Sequence, residues 1–207
     1  MRGRPKTALL AMVPMSSTEV LTQAHRRQLL ELARPSIHEG LKTGRPRQVE
    51  PAEWPEPLQA HRASFVTLHR PDGSLRGCIG AIEAYQPLVQ DVSDHAYAAA
   101  FRDPRFPPVT AEELSSLRLD ISVLTAPEPM DANSESDLLD QLTPGEDGLI
   151  LEDGPNRSTF LPAVWASLDT PEAFLRELKC KAGLGPDYWS PTIQFRRYRT
   201  ESFGEEV

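Results

Sequence analysis

Ser64-Phe65-Val66-Thr67-Leu68, then Pro71-Asp72-Gly73-Ser74, then Leu75-Arg76-Gly77-Cys78-Ile79-Gly80 running on to Ile82, is the stretch on which the reading of this chain turns. The first segment is apolar and β-branched, the second carries turn residues, and the third returns, which reads as a β-hairpin. Pro87 then sits in the first turn of a helix, with Leu88, Val89, Val92, Ala96 and Ala99 along one side of it. That helix stops at Asp103-Pro104, because a residue before proline avoids the helical region. A strand follows from Leu117 to Leu124, where Leu117, Leu119, Ile121 and Val123 alternate with Arg118, Asp120 and Ser122. A hairpin, a helix and an alternating strand in succession imply an α+β class, a mostly antiparallel sheet flanked by helices.

Outward from this centre the signals thin. Residues 1–16 read as a flexible N-terminal extension, and a helix is expected to start near Ser17 or Thr18, both good caps. It carries Leu21, Leu29, Leu32 and Ile37 at helical spacing. Pro35 is expected to kink or divide it, and Gly40 and Gly44 mark its end. Pro46, Pro51, Pro55 and Pro57 make the next stretch an extended surface connection, anchored by Trp54. Further on, a short helix is expected across Ser136 to Leu142, then a strand at Leu149-Ile150-Leu151. Thr170-Pro171-Glu172 starts a helix by cap, first-turn proline and early acid together. It should run to Ala182 and end at Gly183. A last strand, Thr192 to Tyr198, precedes an acidic tail, placed at 204–207.

Composition narrows the class. The chain has 207 residues and a net charge of −8. At this length it can bury a substantial core. Its 20 prolines are nearly twice the typical ~5 %, which fits clean element ends. Up to Arg47 there are nine Lys/Arg against three Asp/Glu, whereas Pro127 to Asn156 holds nine acidic residues and no Lys or Arg. A phosphate backbone needs clustered cations, so generic nucleic-acid binding is not expected, although the basic N-terminal part leaves a specific RNA contact open. The apolar runs fall short of the ~18 residues of a membrane span. With two cysteines and no Ala-x-Ala-like cleavage site, the expected compartment is the reducing cytoplasm.

The residues that carry chemistry cluster on the return strand. Alternation would put Arg76 and Cys78 on one face, and a guanidinium beside a thiol favours the reactive thiolate. Gly77 and Gly80 leave the backbone bare for close approach by a ligand or another element. The competing reading is a half-buried structural cysteine among bulge glycines. His95 borders the apolar side of its helix and would serve as a base for Cys78 if that helix packs over the strand; otherwise it is a satisfied helix residue. In the loop after the helix, Arg105 has the geometry to clamp a carboxylate or phosphate, or to pair with Asp103. Cys180 reads as a spacer near a helix end. His25, His38, His61, His69 and His95 show no metal-ligand spacing, and the chain has no CxxC, GxGxxG, Walker or GxSxG pattern. No metal or organic cofactor is expected.

Leu75-Arg76-Gly77-Cys78-Ile79-Gly80 resembles the hallmark of the AMMECR family, called AmmeMemoRadiSam system protein A in prokaryotes. Ala98 to Val109, Ile121 to Glu128, Gly148-Leu149-Ile150, Leu161-Pro162 and Lys181-Ala182-Gly183-Leu184 are similar to its later landmarks, so the likeness spans about residues 20 to 203. The resemblance implies one domain over 17–203, built of a larger and a smaller subdomain packed together. It also implies a functional link to a Memo-like protein and a radical S-adenosylmethionine enzyme. Where the family pattern has Leu-Pro-Gln-Val, this chain has Leu161-Pro162-Ala163-Val164, and Arg157-Ser158-Thr159-Phe160 lacks the family's glycine.

Two functions stand against each other. In one, the protein is a ligand- or partner-binding component, with Gly77, Gly80, Asp103 and Arg105 forming a recognition surface. In the other, it is an enzyme in which Cys78, activated by Arg76 with His95 as base, attacks a small anionic substrate held by Arg105.

Overall fold

The computed structural model describes residues 21–168 and 170–205, so the N-terminal extension and its caps Ser17 and Thr18 lie outside the described residues. Helix α1 (Gln23–Thr43) begins at a capping box, with the Thr22 hydroxyl accepting from the His25 N–H and the His25 ring facing the Thr22 N–H. Pro35 lies inside α1 and does not divide it. A proline inside a helix costs ~3 kcal/mol through its missing N–H and the clash of its ring with the preceding turn, but Leu29, Leu32, Ala33 and Ile37 are buried on the same helix, and each larger one contributes ~1.5–3 kcal/mol. Packing therefore overrides the break. The proline-rich connection is less extended than expected. It holds a 3-10 turn (Pro51–Glu53) and a one-turn helix α2 (Glu56–Gln59), and Trp54 packs against the core.

The hairpin forms as expected, from β1 (Ser64–His69) and β2 (Leu75–Gly80). Helix α3 (Leu88–Phe101) ends just before Asp103-Pro104, and one-turn helix α4 (Ala111–Leu114) leads into β3 (Arg118–Leu124). The alternation in β3 is realised: Leu119, Ile121 and Val123 are buried. Next come β4 (Glu128–Met130), α5 (Glu135–Gln141), β5 (Gly148–Asp153), β6 (Asn156–Phe160), a 3-10 turn at Pro162–Ala166, α6 (Pro171–Lys181), β7 (Gln194–Tyr198) and β8 (Thr200–Gly204). The segment read as leading into an acidic tail is thus a strand as far as Gly204. β8 covers one side of β3, and Glu201 and Glu205 pair with Arg26 and Arg34 of α1.

The strands form two antiparallel four-stranded sheets, ordered β2-β1-β3-β8 and β4-β7-β5-β6, in an α+β architecture. Helices α1 and α3 share one core with the first sheet. The second core joins α5 and α6 to the second sheet, with Trp165 stacked on Phe174 at 3.9 Å between ring centres. A small cluster of Ala63, Leu124, Ile150 and Tyr198 joins the two. Among the described residues, no helix is long and apolar enough to cross a membrane.

Candidate functional site

β2 is the edge strand of the first sheet, so one row of its backbone groups has no strand partner. Its register with β1 slips by one residue: Leu68 faces Gly77, while His69 faces Leu75. Arg76 is the extra residue, and a bulge re-aims the side chain it carries. The Arg76 side chain, 3 % exposed, turns to Glu113 on α4. Nη2 donates to Glu113 Oε2 and to the Pro107 carbonyl, both at 2.9 Å, and Nε donates to Glu113 Oε1. This fork holds the Glu113 carboxyl below its usual range. The expected Arg76–Cys78 partnership is therefore not what the guanidinium makes.

Gly77 marks the face of β2 that meets α3. A Cβ there would sit 2.2 Å from the Ala99 carbonyl oxygen, so helix backbone lies directly on strand backbone. Cys78, one residue on, projects from the other face. Its Sγ accepts a hydrogen bond from the Thr67 hydroxyl at 3.2 Å, directly across the ladder. Gly80 completes the row under Phe65, where a Cβ would be 2.3 Å from the ring and 2.4 Å from the Ser64 carbonyl oxygen.

The loop after α3 closes the edge of β2. Buried Asp103 accepts the Cys78 N–H at 2.9 Å, and Arg105 approaches the Cys78 carbonyl at 3.4 Å. Arg105 also forks onto Asp103, Nε to Oδ1 at 2.9 Å and Nη2 to Oδ2 at 2.6 Å. Against the opposing effect of burial, the Arg105 guanidinium and then the Cys78 N–H hold Asp103 far below the usual carboxylate range; the same pair raises Arg105. The side chains of Asp103 and Arg105 are 2 % and 53 % exposed, so a buried anion fixes a half-exposed cation beside the thiol. Phe106 gathers three guanidinia about its ring: Arg105 at 5.5 Å, Arg76 at 5.7 Å and Arg70 at 5.9 Å from its centre.

His95 stands elsewhere. Its Nδ1 is 3.0 Å from Asp91 Oδ2, the oxygen that accepts both the N–H and the hydroxyl of Ser64. Ser64 shares the helix-covered face of β1, and Thr67 the opposite one, so His95 and Cys78 lie on opposite faces of the sheet. The structure brings Cys78, Asp103 and Arg105 together and separates them from His95. Three neighbours were missed in the sequence. Glu113 and Phe106 had no pattern to mark them, whereas Thr67 was within reach once the hairpin register is drawn. Asp120, opposite Thr67 on β3 and 3.0 Å from His69 Nε2, adds charge to the face that carries Cys78. Among the described residues, no group of three His, Cys, Asp or Glu is arranged to hold a metal ion. Ala163 is exposed in the 3-10 turn of the second half.

Comparison with known proteins follows the same outline. The chain is 38 % identical to a protein of Methanothermobacter thermautotrophicus over 192 residues, 90 % of this chain and 97 % of the relative. It is 41 % identical over 158 residues to a protein of Thermotoga maritima, covering 75 % of this chain and 86 % of that one. The crystal structure of an uncharacterized protein from Pyrococcus horikoshii superimposes with a TM-score of 0.77 at 39 % identity, covering 86 % of this chain and 90 % of that one. The AMMECR1 family pattern matches residues 30–203, the span that holds both sheets up to β8 and the whole Cys78 site, and the chain belongs to that family.

Proposed function

We propose that this protein is a binding component of a multi-protein system, presenting the Cys78 strand and the Asp103–Pro108 loop as one rigid surface to an anionic group on a ligand or partner. The partners inferred from the family resemblance are a Memo-like protein and a radical S-adenosylmethionine enzyme. The observation that carries this reading is the Asp103–Arg105 fork. A half-exposed guanidinium is held in place by a buried carboxylate that also fastens the edge of β2. Preorganised cations of this kind bind at low entropic cost. Arg70, over the same Phe106 ring, adds to the field, while Arg76 is buried against Glu113 and, unlike Arg105, presents no face to a ligand. The test is pull-down of the Memo-like and radical S-adenosylmethionine proteins with the full chain. Arg105→Ala weakens association and Cys78→Ser keeps it; association unaffected by either variant overturns the surface.

One observation favours a second reading. The Cys78 thiol is ordered by the Thr67 hydroxyl, and Arg105 approaches the carbonyl of the same residue, which sets a nucleophile beside a cation that would hold a small anionic substrate. In that reading the activating groups are not Arg76 or His95, since Arg76 is taken up by Glu113 and His95 lies near Asp91 on the opposite face of the sheet.

A further inference from the structure

We propose that a groove at the far end of the hairpin, beside the start of β3, is a binding site for a phosphate monoester, with Arg118 and Arg70 as its donors. The groove encloses about 590 Å3, within the range of small-molecule sites. Its walls include Arg34, Arg70 and Arg118 against a single carboxylate, Glu205, with Leu117 and Pro71 as apolar surface for an organic group. In a chain of net charge −8, such a local excess of guanidinium is a departure that calls for a counter-charge.

The three arginines differ in what they have left to give. Arg34 is spent: it pairs with Glu205 and donates to the carbonyls of Leu114 and Leu117, so it builds the wall. Arg70 gives Nη1 to the Leu75 carbonyl and the Ser74 hydroxyl, and though Asp72 and Glu113 feel its charge it makes no ion pair among the described residues, which leaves Nη2 to give. Arg118 is exposed at the head of β3, and its guanidinium has neither a hydrogen-bond nor an ion-pair partner among the described residues. Two planar forks with free N–H groups are suited to the oxygens of one phosphate. A larger groove of about 700 Å3 along α1 lacks this surplus, because, of its three arginines, Arg26 and Arg34 pair with Glu201 and Glu205, and Arg27 has Glu31 one turn away in the same lining. The site is separate from Cys78 but not remote from it. Arg70 lies over the same Phe106 ring as Arg105.

Calorimetric titration of the full chain with phenyl phosphate at fixed ionic strength tests this. Saturable binding is expected in the wild type. Arg118→Gln should weaken it by about tenfold or more, as the loss of a charge-assisted contact does, and Arg118→Lys should fall between the two. Arg176→Gln, an equal loss of charge on the exposed side of α6, should bind like the wild type. Arg118 is exposed, so its variants leave the core intact, and far-ultraviolet circular dichroism checks that they do. Absence of saturable binding in the wild type, or equal affinity in wild type and Arg118→Gln, overturns the proposal.

Discussion

Asp103 accepts the main-chain N–H of Cys78 at 2.9 Å, across 25 residues of chain. The position of the thiol strand is thereby tied to the end of α3, where Pro104 stops the helix and leaves the Asp103 carboxylate facing β2.

This contact has a pH signature. Asp103 has its folded pKa depressed, chiefly by Arg105, so its contribution is present above the unfolded value of ~3.9. It is lost progressively as pH falls below that, toward the folded value. Asp103→Asn should cost about 1–2 kcal/mol at neutral pH, the lower part of the range for charged hydrogen bonds, because Arg105 is half exposed. Urea unfolding across pH should show a gap between wild type and variant that is constant above about pH 5 and closes in acid. A gap independent of pH would mean that the carboxylate's charge is not what fastens the loop.

Arg76 and Glu113 should behave as a coupled pair. Glu113→Ala leaves a buried guanidinium uncompensated and is expected to cost about 3 kcal/mol. Arg76→Met should cost less, since it also removes Nη1, which is buried without a hydrogen-bond partner among the described residues. In a double-mutant cycle the combined variant should lose clearly less than the sum of the singles. Strict additivity would show that the fork contributes no coupling.

How far the sequence carried depends on where the chain states its pattern locally. β1, β2, α3 and β3 were legible because alternation, a Pro-Asp-Gly-Ser turn and a helix-stopping proline all lie within a few residues of the elements they define. β8 was not, because Thr200-Glu201-Ser202-Phe203-Gly204 has one large apolar residue and forms only by pairing with β3. β6 was missed for the same reason: Asn156-Arg157-Ser158-Thr159 is polar and takes its place by lying beside β5. Pro35 misled in the opposite direction, since propensity is local while the burial that overrides it comes from α3 and the sheet. At the site, Asp103 and Arg105 could be picked out as a charged loop after a helix stop. The bulge that turns Arg76 toward Glu113, 37 positions away, has no local signal at all.

The two cysteines separate the binding and nucleophile readings. Cys180 is exposed and Cys78 half-buried, with its sulfur taken up by Thr67. For a binding surface, alkylation by iodoacetamide followed residue by residue in a mass spectrometer should modify Cys180 first. Thr67→Val should change the Cys78 rate, and His95→Gln should leave it alone because His95 lies beyond the sheet. Faster modification at Cys78 than at Cys180, despite its lower exposure, would transfer the assignment to a nucleophilic thiol.

The junction between the two sheets can be probed through Tyr198. Its ring is buried with Ala63, Leu124 and Ile150, and its hydroxyl donates to the Phe160 carbonyl at 3.0 Å beside Thr159. Burial pushes its pKa up to about 12 from an ordinary 10.0. A group raised in this way stabilises the fold below its unfolded value, and that stability drains as pH climbs through the folded one. Wild-type stability should therefore fall by about 2 kcal/mol between pH 10 and 12 from this residue. Tyr198→Phe should lose about 1 kcal/mol at neutral pH, from the missing hydrogen bond, but lack that alkaline component. If the two halves unfold as one unit, tryptophan fluorescence and circular dichroism will give the same midpoint in both proteins. Alkaline stability curves that run parallel in wild type and Tyr198→Phe would show that the buried phenol does not govern the junction.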